Sequence, residues 1–347
     1  MIEMSLRQSE PVALPEQPAG GSWRSVLAHM LLTTLMIVTG LLVFVPAVLF
    51  HCALRSGRRA AWLTGIVAMA IACFFVAAIP APDPNQTRMA WAELAAFGLA
   101  VVLPSLMALP LVERGVKFGR LLVLLLLGST IGLAAVELGA RALTSFSPFA
   151  FHATQARQGG SLMLEFYRKS GIPADAMRTM ERWFGYWTEN LLPGLMLIML
   201  AMIFALSLLM LGRLQTWRAH VARNANATEI AGAYLFRNFA VPEWVLFAFI
   251  AGGLAPLTTG LLHQVAANAL FLAVFLYLLQ GLAVFRFVLA SIGGGFAGAM
   301  LGWMLLAFLM LTMIGPLALG LAGLFDPFFD FRHYKKRKDD SHESHSD

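Results

Sequence analysis

In VELGAR (136–141), Glu137 and Arg141 stand four residues apart, so a helix places both on one face, where they can pair with each other. Ionisable side chains within apolar sequence are costly, which leaves two readings. Either the pair is structural and lies near a membrane boundary, or it faces a ligand or a proton path. Gln264 and Asn268 are also one turn apart, next to His263, at the start of another apolar stretch. Their amide and imidazole groups suit a small polar ligand, and equally suit hydrogen bonds between helices. Gln280 reads as such an interhelical contact, while Glu93, Glu113, Arg114 and His51 read as residues at the membrane boundary. Trp183, Phe184, Tyr186 and Trp187 form either an aromatic belt at the interface or a lid over an external cavity, with Trp183 and Trp187 as its ligand-facing members.

Other chemistry has no foothold in the sequence. It contains no GxxxxGK[ST], HExxH, GxSxG or CxxC pattern, so no catalytic residue, cofactor or metal is expected and the chain reads as a non-enzyme. Cys52 and Cys73 lie in or beside apolar runs and suit free, buried thiols. The histidines of HYKKRKDDSHESHSD (333–347) are irregularly spaced in a polar tract that reads as disordered. A formal charge of +6 does not require nucleic acid, because Lys and Arg are also what fix the orientation of a membrane protein.

The elements that must position these residues are membrane helices. Asp, Glu, Lys and Arg are absent from Ser25–Leu54, Ala60–Pro82, Leu94–Val112, Leu121–Val136, Leu191–Gly212, Trp244–Phe285 and Phe287–Phe325. About 20 apolar residues span a hydrocarbon core, and runs such as LLVLLLLG (121–128) are apolar on every face, which fits helices rather than barrel strands. With 59% hydrophobic and 13% charged residues, the expectation is an all-α, polytopic transmembrane bundle. It would have about 8–10 membrane segments, broken or short near both ends. Residues 1–24 read as a polar cytoplasmic tail without a cleaved signal peptide, 25–330 as the helical membrane domain and 331–347 as a charged cytoplasmic tail.

Four basic clusters should lie on the cytoplasmic side of the membrane: Arg55/Arg58/Arg59, Arg114/Lys117/Arg120, Arg213/Arg218/Arg223/Arg237 and Arg332/Lys335/Lys336/Arg337/Lys338. Both termini would then be cytoplasmic. Gly40 and Pro46 divide the first apolar block, Trp244–Leu262 and Gln264–Phe285 form a hairpin turning near His263, and Phe287–Phe325 crosses an even number of times. The external insertion 145–190 holds two amphipathic helices, SLMLEFYRKSG (161–171) and PADAMRTMERWFGYWTENLL (173–192), divided at Gly171-Ile172-Pro173.

Three polar motifs mark the carboxy-terminal half: YLFRNFAVPEW (234–244), QGLAV (280–284) and LFDPFFDFR (324–332). Their order resembles the bacterial membrane-protein family catalogued as domain of unknown function 2232. That resemblance implies a bacterial inner membrane (cell membrane) and no particular activity. The hydropathy, with a first helix, a proline break and a short second segment, is also similar to that of the substrate-binding subunits of energy-coupling-factor transporters. It implies solute binding from outside and reliance on a separate coupling protein and ATPases. Arg237, Asn238, Asp326, Asp330 and Arg332 are the residues of these motifs suited to contact a partner at the cytoplasmic face. Two functions remain open: a small-solute-binding or transport-associated subunit without its own ATPase, and a scaffold or assembly factor that recruits a protein partner.

Overall fold

The computed structural model describes residues 23–78, 83–223, 230, 232–291, 295–312 and 314–329. Among these there is no strand; the chain is an all-α bundle. Five helices are long and apolar enough to cross a membrane: Arg58–Ala78 (α3), Pro84–Glu113 (α4), Phe118–Thr144 (α5), Ala174–Arg213 and Gly260–Ala290. The fourth comprises α7 (Ala174–Tyr186), a π turn at Trp187–Leu191 and α8 (Leu192–Arg213). The fifth lies within α11 (Gly260–Ser291).

Shorter helices complete the bundle, as the broken apolar blocks predict. α1 (Trp23–Val38) ends at Gly40, whose φ of 75° suits glycine, and α2 (Val45–Ser56) starts with Pro46 in its first turn, where no N–H is needed. The two helices run antiparallel, with Ser25 Oγ 3.5 Å from Ser56 Oγ and the His29 and His51 rings 5.1 Å apart. Both ends of the hairpin therefore lie at the same end of the bundle. At about 24 Å, α1 is shorter than a hydrocarbon core of about 30 Å. The hairpin's tip is held inside by Ser207 Oγ, which donates to Val43 O at 2.9 Å.

Three of the four basic clusters gather at that same end. Arg58 pairs with Glu113 (Nε to Oε2, 2.8 Å), the His220 ring nitrogen lies 2.8 Å from Glu113 O, and His51 Nδ1 lies 2.9 Å from Thr216 Oγ1. Tyr234 reaches Val112 O at 3.4 Å, and burial pushes its phenol well above the ordinary range, so it stays a neutral donor. The fourth cluster, 332–338, lies outside the described residues.

At the opposite end the insertion forms α6 (Pro148–Lys169) and α7, parted at Gly171-Ile172-Pro173 as expected. α6 begins earlier than the amphipathic pattern suggested, because Ser147 caps it and Pro148 opens it.

Beyond α9 (Gln215–Ala222), α10 (Val245–Gly253) is a half-length helix antiparallel to α11, with Phe249 edge-on to Tyr277. The turn between them falls at 254–259, before His263, since Pro256 and Gly260 interrupt the helix sooner than the charge pattern reveals.

The end of the chain also departs from the expected parity. α12 (Gly295–Met310) stays beside the last turns of α11, with Trp303 against Phe285. α13 (Ile314–Phe329) then runs antiparallel to α11, heading away from the basic end rather than back to it. Glycines determine this register. A Cβ on Gly281 would meet Leu319 O at 1.9 Å, and one on Gly323 would meet Tyr277 O at 1.9 Å, so only hydrogen fits at either position.

Candidate functional site

Two prolines shape the helices around a cavity between α4, α5 and α8. Pro104 has no N–H to give Ala100 O; Ser129 Oγ of α5 donates to it instead at 2.5 Å. The chain relaxes into a π turn at Gly98–Val102, where Leu103 N bonds Gly98 O. Pro193 disturbs α8 similarly. There Asn268 of α11 inserts its amide between Gly194 and Asn190, accepting from Gly194 N (2.5 Å) and donating to Asn190 O (2.6 Å). Its second hydrogen goes to Gln264 O at 2.6 Å. Asn268 thus mends a broken helix, the interhelical alternative among its two readings.

Between α4, α5, α6 and α8 lies a cavity of about 250 Å³. Its outer end is polar: Glu93 on α4, Glu137 on α5 and His152 on α6. Its inner end is apolar, with Val101, Leu133, Leu200 and Ile203. From Glu93 to Glu113, at the basic end, α4 rises about 30 Å, one hydrocarbon thickness, so the carboxylates sit at the level of the far interface. A second cavity of about 430 Å³ shares Leu42, Glu93 and Phe97 with the first and is bordered by α1 and α3 through Ile37, Val38 and Phe75.

Glu137 is buried and heavily bonded. Arg141 Nε donates to it at 2.5 Å, Ser147 Oγ at 2.5 Å and Phe149 N at 3.1 Å, while Ser147 itself accepts from Ala150 N. The carboxylate therefore caps the start of α6, adding to its cavity position a structural task that places negative charge on a helix N-terminus. Replacing Glu137 with Ala should loosen α6 by about 1–2 kcal/mol. Hydrogen exchange over 148–156 should accelerate while the basic end is unchanged; equal protection in both proteins would show that the cap is dispensable.

Glu93 differs. It makes no hydrogen bond or ion pair with the described residues and borders both cavities. Its boundary position was legible from the residues around it, but its neighbours were not, because α1, which borders one side, lies far away in the chain.

The other expected site residues are scattered. His263 lies 2.9 Å from Ala255 O and 3.4 Å from Tyr186 Oη; Gln264 is exposed. Trp187 packs edge-on against Phe271, Trp183 is 62% exposed, and neither lines a cavity described above. Among the motif residues, Arg237 and Asn238 lie exposed on a turn at the basic end. Asp326, expected at a surface, is buried, and its Oδ2 accepts from Gln280 Nε2 at 3.1 Å, whose Oε1 accepts from Val241 N at 2.8 Å. The reason is that α13 packs along α11 through its glycines and turns Asp326 inward. Asp330 and Arg332 lie outside the described residues.

No group of three or more His, Cys, Asp or Glu suited to a metal occurs among the described residues. No curated protein and no solved structure matches the chain. Residues 25–327 match the family described as "Predicted membrane protein (DUF2232)", which takes in the membrane bundle, both cavities and the α11–α13 pair, and the chain belongs to that family.

Proposed function

We propose that the protein is a non-enzymatic membrane subunit that binds a small solute in the cavity between α4, α5, α6 and α8, as part of a transport system whose energy source lies elsewhere. The positive charge of three loop clusters supports a cytoplasmic basic end, with the cavity's polar end outward. One observation carries the reading: polar side chains from three helices converge over an apolar chamber, the usual composition of a ligand site. The start of α6 borders it through Pro148, Phe149 and His152, and Glu137 joins that segment to the α5 wall.

Binding to the folded state raises stability by mass action, by about 2.7 kcal/mol at a hundredfold excess over Kd. Thermal shifts of the full chain in nanodiscs against a solute panel should therefore find a ligand. Ala96→Phe on α4 and Met196→Trp on α8 place bulk in the chamber and should abolish the shift without lowering the unliganded Tm by more than a few degrees. Ligand shifts that survive both substitutions would place binding elsewhere.

The scaffold reading rests on Arg237 and Asn238, which stand exposed at the basic end. It expects Arg237→Ala to release a co-purifying protein while Ala96→Phe does not.

A further inference from the structure

The two cavities differ from a site for a sugar, an amino acid or another polar solute. They meet at Glu93, their walls are otherwise nearly all apolar, and the larger one lies between helices that face lipid. Val38 of α1 and Phe75 of α3 border it and are 50% and 41% exposed, so this cavity opens sideways toward the bilayer. Building on the solute-binding reading, we infer that the ligand is a cationic amphiphile. Its ammonium-type head would rest on the Glu93 carboxylate at the outer interface, with its apolar portion filling the joined cavities after entry between α1, α3 and α4.

The chemistry follows from the two carboxylates. Glu137 is satisfied by Arg141, Ser147 and the α6 backbone, so its charge is already matched. Glu93 has no such partners among the described residues, yet stands where two apolar cavities join. Glu93 is exposed, so its carboxylate is open to an incoming cation, and an ion pair formed there beside apolar walls is stronger than one in bulk water. Below it, Phe97, Ala100 and Val101 on α4 continue the wall inward and carry no polar side chain. A hydrocarbon chain gains by leaving water for such a wall, whereas a polar solute would lose hydrogen bonds there.

Size agrees with shape. The cavities hold about 250 and 430 Å³, enough together for a chain of ten or more carbons.

The test uses the full chain in phosphatidylcholine nanodiscs and three probes of equal length: dodecylammonium, dodecanol and dodecanoate. Binding is read by thermal shift and by displacement of radiolabelled dodecylammonium, with empty nanodiscs subtracted. Dodecylammonium should bind about tenfold more tightly than dodecanol, equivalent to about 1.4 kcal/mol, and dodecanoate should bind weakest. Glu93→Gln should bring dodecylammonium down to the level of dodecanol and leave dodecanol unchanged. Val76→Trp, which narrows the lateral cavity, should weaken both.

Equal binding of ammonium and alcohol, insensitive to Glu93→Gln, would overturn the cationic class. If only water-soluble polar solutes bind, and Ala96→Phe blocks them, the ligand class fails while the solute-binding function stands. If no solute and no amphiphile binds, both fail.

Discussion

Gly323→Ala should be among the most disruptive single-methyl changes in the chain. The new Cβ would fall 1.9 Å from Tyr277 O and 2.7 Å from Gly281 N, where the facing atoms are backbone and cannot rotate away. α13 would have to move off α11, breaking the Gln280–Asp326 hydrogen bond and leaving Asp326 buried beside a loosened helix. Overpacking of this kind costs about 1–3 kcal/mol, and alanine's better helix propensity returns only about 1 kcal/mol. The lost polar contact adds to the cost, so a net loss of about 2–3 kcal/mol is expected. Gly320 is the control: three residues away on the same helix, its Cβ would meet nothing within 4 Å. In nanodiscs, Gly320→Ala should melt like the unaltered protein or slightly above it, and Gly323→Ala several degrees below. Equal melting of the two variants would mean that α11 and α13 are not packed backbone to backbone.

Asn268→Leu is the second. Leucine nearly matches the side chain in size but removes the acceptor for Gly194 N and the donors for Asn190 O and Gln264 O. In hydrocarbon no water replaces them. Each unsatisfied buried group costs about 1–3 kcal/mol, although single interhelical bonds in membranes often measure below that. Partial relaxation of Gly194 onto Asn190 would recover some of it, so a loss of about 2–4 kcal/mol is expected. The diagnostic is local: amide exchange at 190–196 should rise sharply in Asn268→Leu and stay unchanged in Gln264→Leu, whose side chain is exposed. A uniform effect along α8 would show that Asn268 has no special link to the proline break.

Much of the architecture was legible because membrane helices announce themselves by composition. The charge-free runs found α3, α4, α5, α8 and α11, and Gly40, Pro46 and Gly171-Ile172-Pro173 marked breaks that the structure keeps. Positive charge correctly grouped the loops around Arg58, Glu113 and His220. The site was less legible, because its meaning lies in pairings between distant segments. Asn268 offered donors and acceptors to any partner, and only its position beside Pro193 assigns them to a helix repair. Asp326 precedes a basic tail and therefore looked superficial; the glycine contacts that bury it involve α11, some forty residues earlier. Glu137 was recognised as a paired carboxylate, but its link to α6 depends on a turn at Ser145 in the left-handed region, which spacing alone does not reveal.

The π turn at Gly98–Val102 makes the length of α4 a specification in its own right. An α-helix advances about 100° per residue, so one surplus residue rotates everything on one side of the turn relative to the other. Glu93, above the turn, borders the cavities, and Val112, below it, is buried, only because that rotation is present. Deleting a single residue within 98–102 would let α4 close into a regular spiral and swing the carboxylate by about a quarter turn, with every other side chain retained. The segment is thus a phase setting between the chamber and the basic end, and there a change in residue count would do more harm than most changes in residue type.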